Sequence, residues 1–123
     1  MSNSITRSII GTAIDVRREL GPGLLEAVYE ECLIEELRQR GLALDSQHPL
    51  PIVYKGKRLN SFYRCDLLVE STVIIELKTV DAIIAVHKAQ LLSYLKLAKL
   101  RYGLLLNFNV SVMRQGIVRM LNN

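Results

Sequence analysis

The chain of 123 residues carries 16 Lys and Arg against 12 Asp and Glu, a formal net charge of +4, and half of its residues are apolar. A chain this long buries about two-thirds of its unfolded surface, so one domain spanning 1–123 is expected without a disulfide or metal to staple it. The apolar share excludes a disordered chain, and runs such as Ile83 to Val86 and Leu104 to Leu106 fall far short of the roughly 18 residues of a bilayer span.

Helical periodicity runs from Ile5 to Leu20, with Ile9, Ala13 and Val16 near one face, and Gly21-Pro22-Gly23 ends it. A second helix is predicted from Leu24 to Arg40, followed by Gly41 as its closing residue. Ile52–Tyr54 then reads as a strand, Lys55-Gly56 as a tight turn, and Phe62–Val69 as the returning strand. A turn at 70–72 leads into a third strand, Val73–Val80. His48, beside Pro49, falls in what reads as an irregular, solvent-facing stretch. Ile83–Ala98 is predicted to be helical, Tyr102–Asn107 a short buried strand, and Gly116–Leu121 an edge strand. The order is ααβββαββ. A helix of this length between the third and fourth strands sets them parallel, so an α/β fold with a mixed sheet is expected.

Cys32 and Cys65 are the only cysteines. Neither stands at metal-finger spacing, so both read as free thiols in a reducing, cytoplasmic setting. The apolar N-terminal stretch is interrupted by Asp15 and lacks a small-residue cleavage site, so secretion is not expected. All 12 acids lie in residues 1–81, whereas 82–123 holds Lys88, Lys96, Lys99, Arg101, Arg114 and Arg119 and no acid. Such a basic third attracts polyanions. Glu30, Glu31, Glu35 and Glu36 read as a solvated helix face partly paired with Arg38 and Arg40. Neither G-x-x-x-x-G-K-[ST] nor G-x-G-x-x-G occurs, so no nucleotide cofactor is expected.

Chemistry concentrates on the meander. A strand's period of two puts Glu76 and Lys78 on one face. A three-residue loop centred on Ser71 would set Asp66 opposite Glu76. Paired carboxylates resist joint ionisation unless a cation lies between them, and hard oxygen donors suit Mg2+ or Mn2+ with a phosphate completing the shell. Lys78 could orient or deprotonate an attacking water, or neutralise charge developing on the phosphate. An acid and a lysine two apart on a strand are commonly just a solvated face. Here, however, the strand is otherwise so apolar that it reads as central, where charges are costly without a task. The following helix adds His87, Gln90 and Tyr94 near one face.

Gly23-Leu-Leu-Glu26-Ala-Val-Tyr29 resembles the signature of the GxxExxY proteins, and Asp66 with Glu76-Leu-Lys78 resembles the core of the PD-(D/E)xK nuclease superfamily. Gln90-Leu-Leu-Ser-Tyr94 is similar to the Q-x-x-x-Y motif of its RecB-like branch, and the likeness extends to Gly103–Asn109 and Gly116–Arg119. The resemblance implies a restriction-endonuclease-like αβββαβ core with an extra N-terminal helix and a C-terminal edge strand. It implies that Asp66, Glu76 and the Leu77 carbonyl bind the metal, that Glu26 supplements the site, and that Lys78 is the catalytic lysine. Gln90 would position active-site groups and Tyr94 contact substrate phosphate. Tyr29 reads as a core residue supporting Glu26, and Gly23 as giving the helix start its tight backbone. Cys65 stands where the superfamily's name has Pro. Four cysteines would be needed for an iron–sulfur cluster, so none is expected.

The sequence reading is therefore a Mg2+- or Mn2+-dependent nuclease acting on nucleic acid, DNA before RNA. His87, Lys88 and Lys96 are further candidate substrate contacts. So small a chain has little surface to grip a duplex alone, which points to a homodimer. The alternative is a non-catalytic nucleic-acid-binding or accessory subunit using the basic C-terminal third.

Overall fold

A computed structural model describes residues 3–123. Helix α1 (Ser4–Leu20) starts at a reciprocal cap: the Asn3 side chain accepts the Thr6 N–H at 2.7 Å, and the Thr6 hydroxyl accepts the Asn3 N–H at 3.1 Å. Helix α2 (Glu26–Gln39) follows and ends at Gly41, past which the Leu42 N–H reaches back to the Leu37 carbonyl at 3.1 Å. The remaining elements are β1 (Leu44–Tyr54), β2 (Lys57–Val69), β3 (Val73–Lys78), α3 (Ala85–Ala98), β4 (Tyr102–Asn107), a 3-10 turn at Met113–Gly116 and β5 (Ile117–Leu121). The expected order is thus observed.

The five strands form one sheet in the order β1-β2-β3-β4-β5, antiparallel except for the parallel β3–β4 pair that α3 connects. This α/β architecture with a mixed sheet agrees with a restriction-endonuclease-like fold. The β2–β3 register pairs Leu67 with Ile75 and Val69 with Val73, which is the register inferred from a loop centred on Ser71. One sheet face carries Leu67, Val69, Ile75, Leu77, Leu104 and Leu106 and packs under α1 and α2 through Ile9, Ala13, Tyr29 and Leu33. The other carries Leu68, Ile74 and Leu105 under Leu91, Tyr94 and Leu95 of α3. With both faces covered, β3 is buried over Val73–Leu77, and Glu76 is an acid in the middle of the molecule.

Several expected boundaries move. β1 starts at Leu44 rather than Ile52, and β2 at Lys57 rather than Phe62. His48 accordingly lies within a strand, half-buried and 3.4 Å from Asp45, and not in an irregular stretch. The turn between the two strands is as expected: Lys55 and Gly56 have φ of 50° and 77°, the doubly positive pair of a type I′ hairpin. β3 ends at Lys78 rather than Val80. There the buried Asn107 amide accepts the Val80 N–H at 3.1 Å and donates to the Val80 carbonyl at 2.9 Å, drawing the chain out of the sheet. α2 and α3 each start later than expected, leaving Leu24, Leu25, Ile83 and Ile84 outside the helices.

Candidate active site

Asp66 and Glu76 meet where the sheet comes apart. The β2–β3 ladder stops at Leu67–Ile75, and the β1–β2 ladder skips the rung between Gln47 and Asp66, where Gln47 takes a φ of 52°. Backbone groups freed by this break are taken by carboxylates. Glu76 Oε2 accepts the Asp66 N–H at 2.6 Å, and Asp66 Oδ2 accepts the Leu77 N–H at 2.9 Å. Each side chain thus caps the other's strand and keeps its second oxygen for another partner. Phe108 N–H donates to the Lys78 carbonyl from the β4 side, so strand alternation turns the Leu77 N–H and C=O toward Asp66.

Glu76 is only 6 % exposed. Burial, and then the Asp66 charge, push its carboxyl up to about 8. Lys78 is half-buried on the same strand, and its ammonium makes no hydrogen bond or ion pair among the described residues. Its charge partly offsets the rise of the Glu26 and Glu76 carboxyls. Glu26, the first residue of α2, is raised by desolvation and by Asp66.

The α2 start is fixed by Tyr29. Its ring is fully buried and stacked on Phe108 at 4.6 Å, while its hydroxyl donates to the Gly21 carbonyl at 2.6 Å and accepts the Leu24 N–H at 3.2 Å. Gly23, at a φ of 88°, allows the loop to turn between these anchors. Tyr29 therefore packs and positions, in line with its sequence reading. Cys65 is fully buried, and burial and then the Glu76 charge push its thiol up to about 12, which leaves it an unreactive packing group beside Asp66.

Sequence reasoning missed Glu30 and Gln47. Glu30 is not part of a freely solvated face. It lies one helical turn after Glu26, its carboxyl raised by desolvation, by Asp66 and by Glu26, with Gln47 Nε2 within 3.5 Å of both its oxygens and 3.4 Å from Asp66 Oδ1. The four-residue spacing from Glu26 was the available signal. Arg40 pairs with Asp15 at 2.8 Å and with Glu36 at 3.9 Å, so that part of the expected pairing is present.

The α3 candidates divide. Tyr94 is buried and tilted against Tyr63 at 5.4 Å, its hydroxyl pushed up by burial and by Glu76. Gln90, one turn earlier, is exposed, as are Lys88 and Lys96. His87 Nδ1 accepts the Ile84 N–H at 3.1 Å and closes the first turn of α3.

Among the described residues, no three His, Cys, Asp or Glu side chains already stand as a metal cage. The donor set nevertheless suits a hard divalent ion. Asp66 and Glu76 each retain an oxygen free of backbone bonds, and among the described residues Lys78 is the one cation that acts on Glu26 or Glu76, against the carboxylates of Glu26, Glu30, Asp66 and Glu76. A bound ion would offset the burial and, after it, the Asp66 charge that raise the Glu76 carboxyl.

Over residues 3–120 the chain matches the family model described as the PD-(D/E)XK nuclease superfamily, and it belongs to that superfamily. Its members generally use divalent metal ions, usually Mg2+, and act on nucleic acid. A comparison with curated proteins gave no match. No helix among the described residues is long and apolar enough to cross a membrane.

Proposed function

We propose that this member of the PD-(D/E)XK nuclease superfamily hydrolyses phosphodiester bonds of DNA, as one domain over 1–123, with Mg2+ or Mn2+. The reading rests on one observation: Asp66 and Glu76 cap each other's strands at the break in the sheet, beside an unpaired Lys78. Asp66, Glu76 and the Leu77 carbonyl would hold the ion, with Glu26 supplementing them and Glu30 close enough to join. When bound, the ion supplies Lewis-acid polarisation of the phosphate and a more acidic water. Lys78 orients that water or neutralises charge on the phosphate as it develops. Gln90 and Tyr94 face the substrate strand from α3, with His87, Lys88 and Lys96 along the same helix. Gly23, Glu26 and Tyr29 favour the GxxExxY group, and Gln90 with Tyr94 its RecB-like relatives. The two unpaired cysteines favour a reducing, cytoplasmic setting.

The test is incubation of wild type, Asp66→Ala and Lys78→Ala with end-labelled single-stranded DNA, duplex DNA and RNA, in Mg2+, Mn2+ or EDTA. Cleavage should require metal and fall by about a hundredfold or more in either variant. Wild-type rates in EDTA, or unimpaired variants, would refute the mechanism. RNA cut as fast as DNA would refute the substrate preference. Salt-sensitive binding without turnover would favour the accessory subunit.

A further inference from the structure

The β1–β2 hairpin is longer than the sheet needs. β2 pairs with β3 only at Leu67–Val69, so the hairpin beyond Cys65 and His48 runs past β3 as a two-stranded arm, seated on α3 through the buried Leu50 and through Tyr63 against Tyr94, with its tip free. Every residue of β2 from 57 to 64 is exposed. The arm leaves three aromatic rings in solvent, Tyr54 at 61 %, Phe62 at 48 % and Tyr63 at 47 % exposed. Between Asp45 and Asp66 the chain has no acid but carries Lys55, Lys57, Arg58 and Arg64. The Arg64 guanidinium lies 5.3 Å from the Phe62 ring centre and the Lys55 ammonium 5.4 Å from that of Tyr54.

Exposed rings interleaved with uncompensated cations call for a partner. Addition of a further strand is disfavoured, because β1 is the sheet edge and Pro49 and Pro51 remove two donors from its free side. A second copy of this arm would bring like charges together. A polyanion with flat apolar faces complements both features, and single-stranded nucleic acid has them, whereas a duplex hides its base faces. The surface also leads somewhere. Tyr63 lies opposite Leu50, and its ring tilts against Tyr94, which is packed on the sheet face that carries Glu76. We propose that the arm grips a single strand and leads it past Tyr63 to Asp66 and Glu76, with Tyr54, Phe62 and Tyr63 stacking on bases and Lys55, Lys57, Arg58 and Arg64 meeting phosphates. Delivery to Asp66 and Glu76 takes the catalytic reading above as its premise; the grip itself does not.

The test is fluorescence anisotropy in EDTA with labelled oligothymidylate and a duplex of equal length, across a salt series. The proteins are wild type, the charge variant Lys57→Gln/Arg58→Gln/Arg64→Gln and the ring variant Tyr54→Ser/Phe62→Ser, with circular dichroism confirming that each folds. The charge variant should flatten the salt dependence by about two in log–log slope, from roughly 0.7 per phosphate contact. The ring variant should weaken oligothymidylate binding at least about fivefold for each base that loses its stack, and leave duplex binding unchanged. Wild-type affinity and slope in both variants would overturn the proposal, as would equal loss of single-strand and duplex binding in the ring variant. Cleavage that persists in arm variants that bind normally would sink the arm alone. Arm-dependent binding by a wild type that never cleaves would sink the catalytic reading alone.

Discussion

Glu76→Gln should separate the cost of the buried carboxyl from its use. In metal-free protein the Glu76 carboxyl moves from an ordinary 4.5 up to about 8, chiefly because it is buried and secondly because Asp66 is beside it. At about 1.4 kcal/mol per pH unit, full ionisation then costs the native state about 5 kcal/mol at most. The folded-state value is the raised one, so below pH 4.5 the group is protonated in both states and costs nothing. Between 4.5 and about 8 the unfolded chain has released the proton while the native protein keeps it. Stability therefore falls with rising pH across that window, by up to about 1.4 kcal/mol per unit. Glutamine keeps an oxygen to accept the Asp66 N–H, now 2.6 Å from Glu76 Oε2, but carries no charge. Urea unfolding in EDTA at constant ionic strength, from pH 5 to 9, measures the difference between the two proteins. The variant should gain on wild type steadily up to about pH 8, ending a few kcal/mol more stable, yet fail to cleave DNA. Millimolar Mg2+ should stabilise wild type at high pH more than the variant. Parallel stability curves for the two proteins, or a variant that loses ground as pH rises, would refute the reasoning.

Two further predictions concern the frame around the site. A Cβ on Gly116 would lie 2.1 Å from the Asn107 carbonyl oxygen, so Gly116→Ala should cost about 3 kcal/mol, whereas Gly11, with open space around it, should gain about 0.5–1 kcal/mol as alanine in α1. Thermal unfolding of both variants checks the opposite signs; a Gly116→Ala protein as stable as wild type would show that the 3-10 turn is not seated on Asn107. Tyr29→Phe removes the hydroxyl that joins Gly21 to Leu24 and should cost about 1–2 kcal/mol. By loosening the α2 start it should also weaken metal-dependent cleavage through Glu26, and a variant with unchanged stability and activity would remove Tyr29 from the positioning role.

Much of the architecture was legible because local chemistry writes it plainly. Apolar residues at helical spacing in α1 and Gly41 behind α2 announce the first two elements. Lys55-Gly56 and the short turn about Ser71 set two hairpins, and the latter fixes the register that brings Asp66 toward Glu76. A central strand buried on both faces reads as an apolar run, against which Glu76 and Lys78 stand out. The arm wrote no such pattern. β1 turns His48, Leu50 and Ile52 inward, but the outward positions between and after them are Pro49, Pro51 and Val53 rather than polar residues, and β2 over 57–64 is exposed on both faces, so no apolar–polar alternation marks the hairpin, and most of β1 and the first five residues of β2 went unread. Glu30 was hidden too, since beyond its four-residue spacing from Glu26 only the approach of Gln47 and Asp66 from the sheet distinguishes it from the solvated glutamates beside it. The amino-acid sequence by itself determined the order of elements, the strand register and the residues with chemistry to offer, because spacing and turn geometry act over a few residues. Only the tertiary structure decided that the sheet opens between Gln47 and Asp66, that the carboxylates cap the freed backbone, and that a cationic aromatic arm reaches beyond them, because each depends on groups far apart in the chain competing for the same hydrogen bonds and the same water.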